Sequence, residues 1–146
     1  MARHGEVTLT LDRPPDAVFE AIVDVHSLPQ WNERIVELDD GPDCLEPGDE
    51  WVVVMSVLGN RFRSRSKVLE LDRAQRRFVH RSAREDGNPT FTVWTWEVVP
   101  DDAGAAVTLR WELNPRTPTR HVMAFIRSRM IPDEARASIR QLAQRC

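Results

Sequence analysis

The chain has 146 residues, a formal net charge of −3 and a pI near 5.8. That length suits one domain with a core of its own and leaves no room for two. The mildly acidic balance gives nucleic acid no electrostatic claim as main partner, and without a run of about eighteen apolar residues no integral membrane association is expected.

Cys44, in a turn-rich loop, and Cys146, the last residue, form neither a disulfide framework nor metal-ligand spacing. Five Trp, five Phe and no Tyr exclude any mechanism that needs a tyrosine hydroxyl. Met1 to Gly5 passes directly into a strand pattern with no apolar signal segment, so a cytoplasmic location is expected. The abundance of Arg and Asp and near absence of Lys fit a GC-rich bacterial coding sequence.

In chain order, Glu6 to Leu11 alternates, with Val7, Leu9 and Leu11 on one face, and predicts a strand. Pro14 and Pro15 end it and suit the first turn of a helix, where the missing N–H is no loss. Asp16 follows at the positive end of the helix dipole. Val18/Ile22 and Phe19/Val23 then form an apolar stripe beside Glu20 and Asp24. Leu28-Pro29-Gln30-Trp31 predicts a second short helical turn. Ile35, Val36 and Leu38 predict a short strand, closed by Asp39-Asp40-Gly41-Pro42.

Trp51 to Leu58 predicts a further strand, Gly59-Asn60 a two-residue hairpin and Arg61 to Leu71 the return. In that return Arg61, Arg63, Arg65 and Lys67 share one face. Four cations on one side must face water, which turns Phe62, Ser64, Ser66 and Val68 inward. Arg77 to Ala83 continues with Phe78, His80 and Ser82 inward. Thr90 to Val99 follows with Thr92, Trp94, Trp96 and Val98 on one face. After an Asp/Gly turn, Val107 to Leu113 places Val107, Leu109, Trp111 and Leu113 inward. The order is strand, two short helices, then antiparallel strands as a meander.

From Thr117 the period is helical. At about 100° per residue, Val122, Phe125, Ile126 and Met130 share one face, while beyond Pro132 the set Ala135, Ile139 and Leu142 shares another. Proline inside a helix removes a hydrogen bond and clashes with the preceding turn. Two segments, or one sharply kinked helix, re-phased at Ile131-Pro132, would let both stripes face the sheet.

Pro14-Pro15-Asp16-Ala17-Val18-Phe19 through Asp24, Leu28-Pro29-Gln30-Trp31-Asn32, Trp94-Thr95-Trp96-Glu97-Val98 with Pro100, and Val107-Thr108-Leu109 carry a family likeness. In these motifs, and in element order over the whole chain, the sequence resembles the START-like or Bet v 1-like (SRPBCC) superfamily, in its bacterial polyketide cyclase/dehydrase and lipid transport branch. The resemblance implies one α+β helix-grip domain over residues 1–146. Its curved antiparallel sheet of about seven strands would wrap a long C-terminal helix, kinked or broken at Pro132, with two short helices after the first strand. It also implies a ligand cavity between sheet and helix, but not an activity, since the family hosts aromatase/cyclases, lipid and quinone carriers and hormone receptors.

With these parities the concave side collects Trp51, Val53, Met55, Phe62, Ser64, Ser66, Phe78, His80, Trp94, Trp96 and Trp111, facing Phe125 and Ile126, with Trp31 reaching in from the helix pair. A mostly apolar set with a few hydroxyls and one imidazole suits a small-molecule pocket, although each ring alone reads as core packing. His80 is the candidate acid/base group, against the plainer reading of a hydrogen-bonded core histidine. Ser64 and Ser66 are candidates for polar assistance and lack any nucleophile arrangement. Arg129, on the stripe of Phe125, is a candidate for a ligand carboxylate or phosphate at the cavity mouth, or else a snorkelling arginine.

Glu97, Arg110 and Glu112 read as cross-strand surface charges. The Arg61/Arg63/Arg65/Lys67 row reads as a solvated face that can also dock an acidic acyl carrier protein. His4, His26 and His121 are too scattered for a metal, and neither metal nor cofactor is expected. The tyrosine-free inward set, with no carboxylate or arginine deep within it, favours binding over elaborate catalysis. Two functions stay open: a cyclase, aromatase or dehydratase acting on a polyketide-like or other aromatic-forming substrate, or a non-catalytic carrier or sensor of a lipid, quinone or other hydrophobic ligand. The oligomeric state stays open between monomer and homodimer.

Overall fold

The structure, a computed structural model, describes residues 3–146; Met1 and Ala2, on which part of the localisation expectation rests, lie outside the described residues. Seven strands form one antiparallel sheet: β1 (His4–Leu11), β2 (Ile35–Asp40), β3 (Glu50–Val57), β4 (Asn60–Asp72), β5 (Arg77–Arg84), β6 (Phe91–Asp101) and β7 (Gly104–Asn114), in the order β1-β7-β6-β5-β4-β3-β2. β2 to β7 are thus a continuous meander, and β1 joins its far end along β7. Helices α1 (Pro15–Val23) and α2 (Leu28–Trp31), linked by a 3₁₀ turn at Val25–Ser27, follow β1, and α3 (Pro118–Arg145) closes the chain. This is the α+β helix-grip architecture.

α1 starts on Pro15 without a side-chain cap, and Asp16 stands in its first turn. There Asp16 does double service, since its carboxylate also accepts from Arg76 Nε at 2.7 Å. One turn on, Glu20 pairs with Arg73 at 3.1 Å, so two ion pairs tie the exposed side of α1 to the β4–β5 turn. The stripe of Val18, Phe19, Ile22 and Val23 is buried. Ser27 binds the helix pair together: its hydroxyl donates to the Asp24 carbonyl at 2.7 Å and accepts from Trp31 Nε1 at 3.0 Å.

The β3–β4 hairpin turns one residue earlier than expected. Val57 pairs with Asn60, leaving Leu58 and Gly59 as the two-residue loop, with φ of 52° and 79°. Positive φ at both central residues is what a twist-matched hairpin needs; Gly59 adopts it freely and Leu58 is carried along. The β4 alternation survives the shift. Arg61, Arg63, Arg65 and Lys67 are exposed, and Ser64, Ser66 and Val68 are buried. Leu69 keeps the outward parity and stands in solvent, and a bulge between Val68 and Glu70 then reverses the parity so that Leu71 packs against the core.

α3 runs as one unbroken helix through Pro132, and its two halves are not re-phased. Its buried residues are Ala124, Ile131, Ala135, Ser138, Ile139 and Leu142. Apart from the adjacent Ser138 and Ile139, they recur at intervals of three, four or seven and so trace one face. Ala135, Ile139 and Leu142 lie on it as expected. Val122, Phe125 and Ile126 do not: they are 62%, 42% and 37% exposed. The physical reason is that the first half of α3 presents its small and polar side, Ala124 with Arg127, to the sheet, where a cavity and not a solid core receives it.

Candidate functional site

The concave face and α3 enclose two adjoining lobes. The inner one, about 100 Å³, lies over β3–β6 with Trp31, Trp51, Phe78, His80 and Trp96 in its wall and Ile131, Ala135 and Ser138 of α3 above. The outer one, about 170 Å³, opens toward the β3–β4 hairpin between Phe62, Phe91, Leu113 and Met123. Met55, Ser64, Ser82, Trp94, Arg127 and Ile131 line both and mark where they meet.

His80 sits in an aromatic cage. The Trp51 and Phe78 rings are each centred 5.0 Å from the imidazole, and Trp94 stacks at 6.5 Å. β5 puts it there because Phe78, His80 and Ser82 alternate inward, and the registers Val68↔His80 and His80↔Trp94 seat it mid-sheet. Burial, which disfavours the charged form, lowers its pKa from 6.5 to about 3. The imidazole is therefore neutral over the physiological range. Its Nδ1 is fully buried and has no hydrogen-bond partner among the described residues. An unpaired buried polar atom costs about 1–3 kcal/mol; Nδ1 itself is shut off from open space, while the His80 side chain as a whole lines the inner lobe.

The neighbouring polar groups are already engaged to different degrees. Trp94 Nε1 donates to Ser82 Oγ at 2.8 Å, which orients both at the junction. Ser64 donates weakly to the Ala83 carbonyl at 3.4 Å, and Ser66 is buried beside it in the inner lobe. Trp31 meets Trp96 edge-on at 5.7 Å.

Of the residues singled out from the sequence, Trp31, Trp51, Met55, Ser64, Ser66, Phe78, His80, Trp94 and Trp96 come together around the inner lobe, and Phe62 around the outer one. Trp111, Phe125 and Arg129 are not brought to either. Trp111 is buried against Gly5, its register partner on β1, so closely that a Cβ on Gly5 would lie 2.7 Å from the indole. Arg129 is exposed, with its guanidinium 5.0 Å from the Phe125 ring on the outer side of α3.

The expectation of no inward carboxylate or arginine is overturned. Arg127 lines both lobes and Glu134, two turns further along α3, lines the inner one; the two form a mostly buried ion pair through Arg127 Nη1. Arg34, just after α2, brings its Nε within 3.1 Å of the same Glu134 oxygen, an approach without hydrogen-bond alignment. The apolar stripe through Phe125 hides these residues, because it points to the wrong side of α3 as the inner face; a single face carried through Pro132 includes both.

Outside the cavity, the cationic row of β4 is partly neutralised. Arg63 pairs with Asp39 at 3.4 Å, and Arg65 with Glu50 at 3.1 Å and with Glu85. Arg110 bridges Glu6 and Glu97 across strands on the convex face. His26 meets the Pro42 carbonyl at 3.2 Å and His121 accepts from Arg3 at 3.1 Å. No helix among the described residues is long and apolar enough to cross a membrane.

A family model described as polyketide cyclase/dehydrase and lipid transport matches residues 2–146. The chain belongs to this family. Among solved structures, the polyketide cyclase/dehydrase and lipid transport fold of this chain is similar to the Zhui aromatase/cyclase from Streptomyces sp. R1128, at 17% identity over 97% of this chain and 92% of that one, with a TM-score of 0.79. The di-domain ARO/CYC BexL of the BE-7585A biosynthetic pathway matches at 22% identity, with 97% of this chain and 45% of that chain covered and a TM-score of 0.74. A Chromobacterium violaceum protein matches at 19% identity over 99% and 96%, with a TM-score of 0.71. At these identities the likeness is one of fold. No curated protein matches.

Proposed function

We propose that this member of the polyketide cyclase/dehydrase and lipid transport family binds a hydrophobic, aromatic or polyketide-like small molecule in the two-lobed cavity. The observation that carries this reading is His80: a neutral imidazole in the wall of the inner lobe, surrounded by Trp51, Phe78 and Trp94. Flat aromatic walls take a flat ligand, and one polar group in an apolar cage fixes its orientation. Native mass spectrometry of freshly purified protein tests the reading. The expected result is a co-purifying hydrophobic compound; an apo mass alone, with no stabilisation by added aromatic ligands, would overturn it.

A second reading, supported by the family description and by the aromatase/cyclase neighbours, adds chemistry at the same place. Ring closure takes a proton from a carbon flanked by carbonyls, joins that carbon to a second carbonyl carbon, and returns a proton to the new alkoxide. Loss of water then aromatises the ring. The cavity would hold the chain folded and dry, and His80 would exchange the proton with Ser64 or Ser66 orienting an oxygen. A pKa near 3 makes His80 a better hydrogen-bond partner than proton store, which ranks binding first. Product formation unchanged in His80→Ala would remove the enzymatic reading and leave the binding one.

A further inference from the structure

The charges around the two lobes have a sign opposite to that of the molecule. The whole chain carries −3, yet the charged residues of the cavity wall are Arg84, Arg120 and Arg127 against the single carboxylate of Glu134. Arg84 lies over the Phe62 ring at 4.2 Å and within 3.8 Å of Asp86, and Arg120 pairs with Asp86, so both are occupied at the outer rim. Arg127 is different. It stands where the lobes meet, its side chain is 16% exposed, and its one hydrogen bond among the described residues is the one to Glu134. A guanidinium has five N–H donors in a planar fork, so most of those of Arg127 have no protein partner among the described residues, and its side chain lines both lobes. Glu134 is shared with Arg34; two guanidinium groups against one carboxylate leave a formal surplus of one positive charge.

We infer that the cavity ligand is a monoanion: an aromatic or extended apolar body with one ionised acidic group, seated with that group on the free edge of Arg127 at the junction of the lobes. This rests on the reading that the cavity binds a small molecule, and it names the chemical class. A nearly buried arginine favours an anion strongly, because charge-assisted hydrogen bonds gain strength where water is scarce. Glu134 holds the fork in place and limits the site to one negative charge, since a dianion would meet its carboxylate. His80, neutral and deeper in the inner lobe, takes the ligand's uncharged polar group. The acidic end is thereby separated from the end held in the aromatic cage.

A matched pair of fluorescent probes tests this. 8-Anilino-1-naphthalenesulfonate and N-phenyl-1-naphthylamine share the same rings and differ in the sulfonate. The wild-type protein is expected to bind the sulfonate at least about tenfold more tightly than the neutral amine, and Arg127→Gln is expected to erase that preference, as the loss of one charge-assisted contact implies. Glu134→Gln, which releases Arg127 and adds one positive charge, is expected to raise the preference, so an unfolded Arg127→Gln still leaves a variant that decides. Equal binding of the two probes by wild type, or a preference indifferent to both substitutions, would overturn the monoanion assignment while leaving the cavity reading intact. Binding of neither probe would overturn both.

Discussion

His80 shows how one residue can be legible in position and illegible in character. Its inward direction follows from the alternation of β5, but its protonation does not, because that depends on which rings the other strands bring around it. Burial among three aromatic walls lowers its pKa to about 3. The sign of the consequence is definite. The unfolded chain takes up a proton on His80 below about pH 6.5 and the folded one does so only below about 3, so this contribution is complete above pH 6.5 and is lost as pH falls through that window. Between pH 7 and pH 5 the wild type is expected to lose about 2 kcal/mol more stability than His80→Gln, since a tenfold difference in proton affinity between the two states is worth about 1.4 kcal/mol and the carboxylates are common to both proteins. Urea denaturation of the two proteins at both pH values measures the difference; parallel losses would mean that the imidazole is not held neutral by the fold.

Among the elements, the strands are legible in the sequence to within about three residues at their ends, because most have one buried face and a period of two leaves only one register of burial; β2, with no fully buried residue, and β3, buried at Trp51, Val52 and Val53 in succession, depart from that alternation. α3 is the element where the same logic fails in its first half. Apolar periodicity there marks Val122, Phe125 and Ile126, and the fold turns them outward, because the residues opposite the cavity have to be small or polar to leave it open. Pro132 adds to the misdirection: a proline inside a helix signals a break, yet the buried face passes straight through it. The two faces carry different energetics. Val122→Ser and Phe125→Ser are expected to change stability by no more than about 0.5 kcal/mol, whereas Ile139→Ala, at a fully buried position, is expected to cost about 2–5 kcal/mol. Thermal or urea melts of the three variants separate the cases. A cost for Val122→Ser comparable to that for Ile139→Ala would put the apolar stripe back on the inner face.

At the scale of the whole molecule, a seven-stranded curved sheet meets one long helix, and such a pair does not fill itself. The helix pair α1–α2 plugs one end with Phe19, Ile22 and Trp31, which are at most 2% exposed; elsewhere the tryptophans line space as well as occupy it. Element order and inward faces make the container visible in the sequence. The contents of its wall are only partly so: the rings and hydroxyls follow from strand parity, while the Arg127–Glu134–Arg34 cluster depends on the phase of α3 and on a contact between residues a hundred positions apart. Whether the inner lobe is open space or a fully packed core can be decided by adding atoms to it. Ala135 is buried and lines that lobe from α3. In a solid core the three extra carbons of Ala135→Leu would be overpacked at a cost of about 1–3 kcal/mol. In the cavity described here they enter a void, bury apolar surface and keep the helix, since leucine is nearly as good a helix former as alanine. Ala135→Leu is therefore expected to keep or raise the melting temperature while weakening N-phenyl-1-naphthylamine binding at least about tenfold by occupying its space. A lowered melting temperature with unchanged probe binding would show instead that the lobe is filled and that the probe sits elsewhere.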